Sequence, residues 1–211
     1  MHVIDNSGVA RPKDQRERRG DLVRAAARAI AETGVAGLRI RDVAAQAGLS
    51  AGLVTYYYRD LDELVLDVHA DAVRRFYSAR REAIDRLDDP LLQLAELVRR
   101  GTPDDVDDLH FRVLYQLHVH AARSTAHAAL MSSLWAQEVS LYELVLARGA
   151  ERGVLALRSS PREIAETVVA LEDAVGLHVV GHNAAVSVER ARALVTALVE
   201  REVGCSLVTA V

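Results

Sequence analysis

The chain has 211 residues, of which 50% are hydrophobic and 27% are charged, with only four prolines and one cysteine. This length fits one domain of ordinary size or a small domain joined to a larger one, and a lone cysteine excludes an internal disulfide. Charged residues interrupt every stretch long enough to span a bilayer, and the first 20 residues lack the apolar segment of a secretory signal, so we predict a cytoplasmic protein.

The two ends of the chain differ in charge. Residues 1–60 carry ten arginines or lysines against seven acidic residues, a net charge of +3, which leaves −7 for the remainder of a chain whose total is −4. A basic end on an acidic body indicates that this end contacts a polyanion such as nucleic acid, although a solvated arm would have the same composition. We predict that residues 1–12 form a mobile arm.

Apolar residues recur at helical spacing along most of the chain, and no alternation at period two is long enough for a strand. Local signals mark the helix ends: Gly34 and Gly48 are placed to end helices, whereas Ser50 and the pair Asp60 and Glu63 are placed to cap the next ones. We therefore predict an all-α fold of nine helices, at about 14–33, 40–47, 51–57, 61–84, 90–100, 104–123, 125–151, 161–182 and 188–203.

The stretch "RDVAAQAGLSAGLVTYYYRDLDEL", residues 41–64, indicates a helix-turn-helix, in which two short helices meet at Gly48 and the second enters a DNA major groove. Three consecutive tyrosines, residues 56–58, end this second helix. Neighbours on a helix point about 100° apart, so we predict that one tyrosine faces the core and at least one faces the DNA backbone. A tight helical hairpin with no role in DNA binding would also need the glycine and the serine cap.

The same stretch resembles the DNA-binding region of TetR-family transcriptional regulators, and the resemblance covers roughly residues 14–66. Farther on, "ALEDAVGLHVV" is loosely similar to the eighth helix of the BetI-like branch of that family. The resemblance implies a three-helix DNA-binding domain at 13–60, a six-helix effector-binding and dimerisation domain at 61–211, and a buried aromatic at Tyr58. The predicted DNA-binding residues are Arg39, Arg41, Ser50, Ala51, Leu53, Thr55, Tyr56, Tyr57 and Arg59.

Two positions depart from the pattern of the family. The family often has tyrosine where this chain has Thr55, and it usually has lysine where this chain has Leu61. The first change puts one backbone contact in question, and the second removes a positive charge near phosphate. Arg59 lies two residues before Leu61 and is the expected replacement.

Two segments in the middle of the chain place aromatic and polar residues on one helical face. Phe111, Leu114, Tyr115 and His118 follow the spacing i, i+3, i+4, i+7, and a similar face follows at residues 134–142. Such faces suit a small-ligand pocket, and plain core packing is the alternative. The resemblance places the effector cavity of the family here. The predicted ligand-binding residues are Phe76, Phe111, Tyr115, His118, Trp135, Glu138, Tyr142 and Glu172.

Apolar stripes on the last two predicted helices indicate a dimer interface, in which two helices of each subunit pair across a two-fold axis. His178 and His182 lie one turn apart on the first of these helices, a spacing that also suits a metal ion, but packing at the interface is the favoured interpretation. The predicted interface residues are Val168, Leu171, Val175, His178, His182, Leu194, Ala197, Leu198 and Arg201.

Together these features predict a ligand-responsive transcriptional regulator, most simply a repressor that binds a pseudo-palindromic operator as a homodimer and leaves it when a small molecule binds. A transcriptional activator and a ligand-independent architectural protein are the alternatives, with a helical-bundle enzyme as a remote one. The sequence has no nucleophile–base motif, phosphate loop or metal signature, so we predict no catalytic residues, no metal and no cofactor.

Overall fold

The computed structural model describes residues 12–122 and 124–207, and within those ranges it contains nine α-helices and no strand. The prediction of an all-α fold is therefore confirmed. The helices are α1 Pro12–Gly37, α2 Ile40–Ala47, α3 Ala51–Tyr57, α4 Leu61–Asp85, α5 Pro90–Arg100, α6 Leu109–Ala121, α7 Thr125–Glu151, α8 Pro161–Val180 and α9 Val188–Val203.

Several helix ends differ from the predicted ones. The helix α1 extends to Gly37 across a break at Gly34, where φ is 71° and ψ is 164°. The helix α6 begins at Leu109 because the side chain of Asp108 accepts hydrogen bonds from the N–H groups of His110 and Phe111. Of the predicted arm, residues 1–11 lie outside the described residues, and residue 12 begins α1.

The described residues divide into two compact units, one ending at Val68 and the other beginning at His69. The division falls within α4, whereas the predicted domain boundary lies between residues 60 and 61. In the first unit α2 packs against both α1 and α3. Its core is formed by side chains less than 6% exposed, among them Leu22, Ala26, Ile30, Leu38, Val43, Val54, Tyr58 and Leu64.

In the second unit the long helix α7 packs against α5, α6 and α8, and α8 packs against α9. One core cluster takes residues from α4, α5, α7, α8 and α9, and α6 buries Phe111, Leu114 and Leu117 as well. Val168 and Val175 belong to that core and are 0% and 5% exposed. Their prediction as dimer-interface residues was wrong, because a single protomer already buries them. No helix in the described part of the chain is both long and apolar enough to cross a membrane.

Candidate functional site

The turn between α2 and α3 is built by Gly48 and Ser50. Gly48 adopts φ 66° and ψ 33°, a left-handed conformation that favours glycine, and the N–H of Leu49 donates to the carbonyl of Ala44 at 2.9 Å. The hydroxyl of Ser50 accepts a hydrogen bond from the N–H of Leu53 at 3.2 Å and so caps α3. The predicted helix-turn-helix is therefore present, with the turn glycine and the serine cap in their expected places.

The three tyrosines at the end of α3 have different surroundings, as predicted. Tyr58 is fully buried, Tyr57 is half-buried and Tyr56 is 72% exposed. The hydroxyl of Tyr58 donates to the carboxylate of Asp67 at 2.9 Å. Burial raises the pKa of Tyr58 well above its usual value, and Asp67 raises it further, so this hydroxyl keeps its proton. Tyr58 anchors α3 to the core, while Tyr56 faces outward.

Arg19 of α1 holds the end of α3 in place. Its guanidinium donates to the carbonyl of Tyr57 at 3.2 Å, to Glu63 at 3.0 Å and to Asp67 at 2.9 Å. The same group lies 4.2 Å from the ring centroid of Tyr58, within the range of a cation–π interaction. In the sequence, Arg19 stands out only as one of the basic residues of the first sixty positions. Its partners lie 38 to 48 residues farther along the chain, so no local signal marked it.

The nine predicted DNA-binding residues all lie at least partly on the surface of the first unit. Leu53 and Tyr57 are half-buried, and the other seven are exposed. The Thr55 hydroxyl donates to the carbonyl of Gly52 at 3.0 Å, so a base contact through this oxygen competes with a bond inside α3. In the predicted capping box the Glu63 carboxylate would accept a hydrogen bond from the backbone N–H of Asp60. It accepts one instead from the backbone N–H of Arg59, the preceding residue, at 3.3 Å.

An inner cavity of about 10 Å³ lies in the second unit between α4, α6, α7 and α8. Six of the eight predicted ligand-binding residues line it. The other two do not: Trp135 is 38% exposed, and Leu134 beside it forms the wall, while Tyr142 is buried behind Glu172. Trp135 does not line this cavity although Leu134 does, because adjacent helical residues face different sides. The lining residues are Phe76, Gly101, Phe111, Leu114, Tyr115, His118, Leu134, Glu138, Glu172 and Asp173.

A buried charge cluster lies at this cavity. The guanidinium of Arg80, 1% exposed, donates to Glu138 at 2.8 Å, to Glu172 at 3.2 Å and to the carbonyl of Leu97 at 3.2 Å. The hydroxyl of Tyr142 donates to Glu172 at 2.5 Å. A Cβ at Gly101 would overlap the Glu172 carboxylate, so glycine leaves the space that this carboxylate occupies. Arg80 and Gly101 were not predicted as site residues.

Burial controls the protonation of the cluster. It raises the pKa of Glu138 to about 8 and that of Glu172 to about 7, although Arg80 opposes both shifts. Burial lowers the pKa of Arg80, but Glu172, Tyr142 and Glu138 outweigh that effect and the net shift is upward. Asp173, which also lines the cavity, has a raised pKa for the same reason, burial. One permanent cation therefore faces carboxyl groups that share protons near neutral pH.

Two open grooves adjoin the inner cavity. The arginine-lined groove, about 480 Å³, shares Phe76 and Phe111 with it, and the outer groove, about 290 Å³, shares Tyr115, His118 and Asp173 with it. The ring centroids of Phe76 and Phe111 are 5.4 Å apart, and those of Phe111 and Tyr115 are 6.2 Å apart. Aromatic side chains thus form the walls between the cavity and both grooves.

A second buried polar pair in this unit consists of His69 and His127. Their Nδ1 atoms are 2.8 Å apart, so one donates a hydrogen bond to the other, and their rings stack with centroids 5.0 Å apart. Burial and then the neighbouring His127 lower the pKa of His69 to about 4. No group of three or more histidine, cysteine, aspartate or glutamate side chains in the described ranges is arranged to hold a metal ion.

The predicted histidine pair on α8 is not formed as expected. The helix α8 ends at Val180, and His182 lies beyond it with a positive φ of 54°. The amide of Asn183 donates to the Nδ1 atom of His178 at 3.1 Å, and His182 approaches Asp107 at 3.9 Å. The two imidazoles therefore do not share a helical face, because the helix ends two residues earlier than predicted, before His182.

A capped recognition helix on a three-helix unit, joined to an all-helical unit with a polar cavity, defines a helix-turn-helix protein. The sequence model described as "Bacterial regulatory proteins, tetR family" matches residues 22–68. The chain is 37% identical over 89 residues to the HTH-type transcriptional regulator BetI of Stenotrophomonas maltophilia (strain R551-3), a match that covers 42% of this chain and 45% of that protein. Over residues 22–68 the chain is therefore similar to TetR-family regulators, and it spans less than half the length of the curated relative that it matches.

Solved structures show that the fold extends over both units. A protein described as a transcriptional regulator from Saccharomonospora viridis, solved in complex with choline, matches with a TM-score of 0.82 and 20% identity over 89% of this chain and 98% of that one. A protein described as a TetR-family transcriptional regulator from Rhodococcus sp. matches with a TM-score of 0.76 and 24% identity over 89% of this chain and 99% of that one. At these identities the likeness concerns the fold alone.

Proposed function

We propose that this protein is a repressor that binds a pseudo-palindromic operator as a homodimer and leaves it when a small molecule occupies the inner cavity. The observation that carries the proposal is the exposed surface of α3, where Thr55 and Tyr56 face outward while Tyr58 fixes the helix to the core. A helix held in this way presents a rigid row of side chains to a major groove. In this proposal the DNA-binding domain is residues 13–60.

The role of the inner cavity rests on its chemistry. Aromatic walls with a few convergent polar groups are typical of ligand sites, and the buried cluster around Arg80 has more ionisable groups than packing alone requires. The structure from Saccharomonospora viridis, which has the same fold, was solved with choline, and this supports ligand sensing as the role of the second unit. An activator would use the same two sites, with the ligand strengthening the effect on transcription.

The proposed dimer uses α8 and α9 with a corrected set of residues. On α8 the proposed interface contains Leu177, which is 55% exposed, in place of the buried Val168 and Val175. Leu177 lies next to the exposed His178. On α9 the predicted residues Leu194, Ala197, Leu198 and Arg201 are half-buried or exposed. A Leu177→Arg variant should sediment as a monomer. Val154→Arg, at an apolar position that is 43% exposed and lies outside these helices, should not change the sedimentation coefficient. A monomeric wild-type protein would contradict the proposal.

Sequence-specific binding is tested by selecting duplexes from a random DNA library and measuring affinity for the enriched sequence. Tyr57→Phe should weaken binding by about 1 kcal/mol per subunit with the same sequence preference, because it removes one hydroxyl directed at phosphate. Changes at Leu53 or Thr55 should alter the preferred bases. Tyr58→Phe is the matched control, because its hydroxyl is bonded to Asp67 inside the protein. A library in which no sequence is enriched would refute the proposal.

A further inference from the structure

The inner cavity has more buried acid than base. Arg80 is the guanidinium that faces it, and Glu138, Glu172 and Asp173 are the carboxyl groups. One cation cannot neutralise the two buried carboxylates of Glu138 and Glu172 together with the half-buried Asp173, and a buried carboxylate without a counter-charge is strongly disfavoured. Without a ligand, the excess negative charge of the carboxyl groups is therefore neutralised by bound protons.

Hydrogen bonds determine which carboxyl group holds its proton most tightly. Glu172 accepts from both terminal nitrogens of Arg80 and from the Tyr142 hydroxyl. Within the described part of the chain, Glu138 accepts one bond, from Arg80 at 2.8 Å. Three donors stabilise the ionised form of Glu172 more than one donor stabilises that of Glu138. Glu138, which is 5% exposed and lines the cavity, is thus the acid that remains protonated when no ligand is bound.

The other walls are apolar and aromatic. Phe76 and Phe111 meet edge to face at 5.4 Å, and Tyr115 continues this wall, with its hydroxyl donating to the carbonyl of Asp173 at 3.2 Å. The faces of aromatic rings attract cations, and most strongly where water is excluded. The titratable groups that face Glu138 from the surrounding helices are Arg80, Tyr115, His118, Tyr142, Glu172 and Asp173.

We propose that the inner cavity binds an organic monocation in exchange for one proton, with Glu138 as the counter-charge and with Phe76, Phe111 and Tyr115 against the alkyl groups of the ligand. This inference rests on the proposed function, because it assigns a chemical class to the effector. On binding, the O–H bond of the Glu138 carboxyl group breaks and its proton passes to the buffer. The cluster keeps the same total charge before and after the exchange.

The ligand enters by displacing an aromatic wall. A cavity of about 10 Å³ holds little more than one water molecule, whereas the adjoining outer groove has about 290 Å³. The Tyr115 side chain separates the two and is half-buried. Rotation of this side chain breaks its bond to Asp173 and joins the two volumes, which gives space for a small quaternary ammonium ion.

The test compares two probes of the same shape and different charge: choline, and 3,3-dimethylbutan-1-ol, in which carbon replaces the charged nitrogen. Isothermal titration of the full-length protein in two buffers of different ionisation enthalpy gives the affinity and the number of protons released. We expect choline to bind roughly tenfold or more tightly than the alcohol and to release about one proton near pH 7. Choline affinity should increase about tenfold per pH unit up to about pH 8 and then level off, because the proton competes with the cation.

A variant tests whether Glu138 is the residue that releases the proton when the cation binds. Glutamine has the shape of a protonated glutamate, so Glu138→Gln should fold, lose most of its choline affinity and release no proton. Glu143→Gln, on the same helix and paired with Arg162 at 3.6 Å, is the matched control and should behave like the wild type. The inference is overturned if choline fails to bind at millimolar concentration, if the alcohol binds equally well, or if Glu138→Gln retains choline binding with proton release.

Operator binding, measured separately on the selected DNA, distinguishes the two proposals. If choline binds with proton release but the protein binds no specific DNA, the proposed function is wrong and the cation site remains. If the alcohol releases DNA and choline does not, the regulator remains and the inference is overturned. Weaker binding to operator in the presence of choline, lost in Glu138→Gln, supports both.

Discussion

Replacing Arg80 by methionine should destabilise the protein strongly and in a pH-dependent manner. The side chain is 1% exposed and bonds to Glu138, to Glu172 and to the carbonyl of Leu97, so its removal leaves two buried carboxyl groups without a cation. Removing one partner of a buried ion pair lowers the free energy of unfolding by about 3–5 kcal/mol. We expect a loss of this size near neutral pH in urea unfolding followed by Trp135 fluorescence, with the midpoint and slope compared at each pH.

The pH dependence follows from the raised pKa values. The folded protein binds protons at Glu138 and Glu172 more tightly than the unfolded chain, so their contribution to stability is complete below about pH 4.5 and declines up to about pH 7–8. Without Arg80 both pKa values rise further, and the decline continues above pH 8. The difference between Arg80→Met and the wild type should therefore be larger at about pH 9 than at about pH 6.

A neighbouring residue provides the control. Arg81 pairs with Asp85 at 2.9 Å on the exposed side of the same helix, and such a pair contributes about 0.3–0.5 kcal/mol. Adding Glu138→Gln and Glu172→Gln to Arg80→Met removes the buried acids and should restore part of the stability and flatten its dependence on pH. If Arg80→Met unfolds at the same urea concentration as Arg81→Met at every pH, the buried cluster does not contribute as described.

Three further changes test other contacts. Tyr58→Phe should lower the free energy of unfolding by about 1 kcal/mol in urea titrations, because it removes one buried hydrogen bond; an unchanged midpoint would argue against that bond. Gly101→Ala should cost about 1–3 kcal/mol in the same assay, since its Cβ overlaps Glu172, and a neutral effect would mean that the carboxylate lies elsewhere. Burial beside His127 lowers the pKa of His69 to about 4, so the neutral imidazole stabilises the fold above about pH 6.5 and this contribution is lost as the pH falls to 4. His69→Leu should therefore make the free energy of unfolding less sensitive to acid. An identical pH profile for the variant and the wild type would refute this.

Features set by local sequence were predicted well. The bounds of α2 and α3, the left-handed turn at Gly48 and the Ser50 cap depend on residues within about five positions, and all were found as expected. Helix geometry predicted that the three tyrosines would differ in burial, and the resemblance to the family predicted that Tyr58 is the buried one, as observed. Such features need no knowledge of which distant segments meet.

Features set by distant partners were not predictable. Periodicity gave a stripe through Val168 and Val175 on α8, but it could not show that the rest of the same protomer covers that stripe. Arg80 lies on an amphipathic helix rich in arginine, and only the arrival of Glu138 and Glu172, 58 and 92 residues later, distinguishes it from its exposed neighbours. The sequence did predict Glu138, Tyr142 and Glu172 as ligand-binding residues, but it did not indicate the arginine that pairs with the two acids.

The bonds made by Arg19 affect how strongly DNA binding should depend on salt. Affinity for DNA falls with added salt because each arginine that meets a phosphate displaces a condensed counterion, with a slope of about 0.9 in log–log form per contact. Arg19, Arg24 and Arg28 already bond to Glu63, Asp21 and Gln46 within the protein. Counterion release should therefore come from the exposed arginines beside the turn. The slope of log affinity against log salt concentration, per subunit, should be much smaller than the value expected if all ten basic residues of the first sixty positions contacted phosphate.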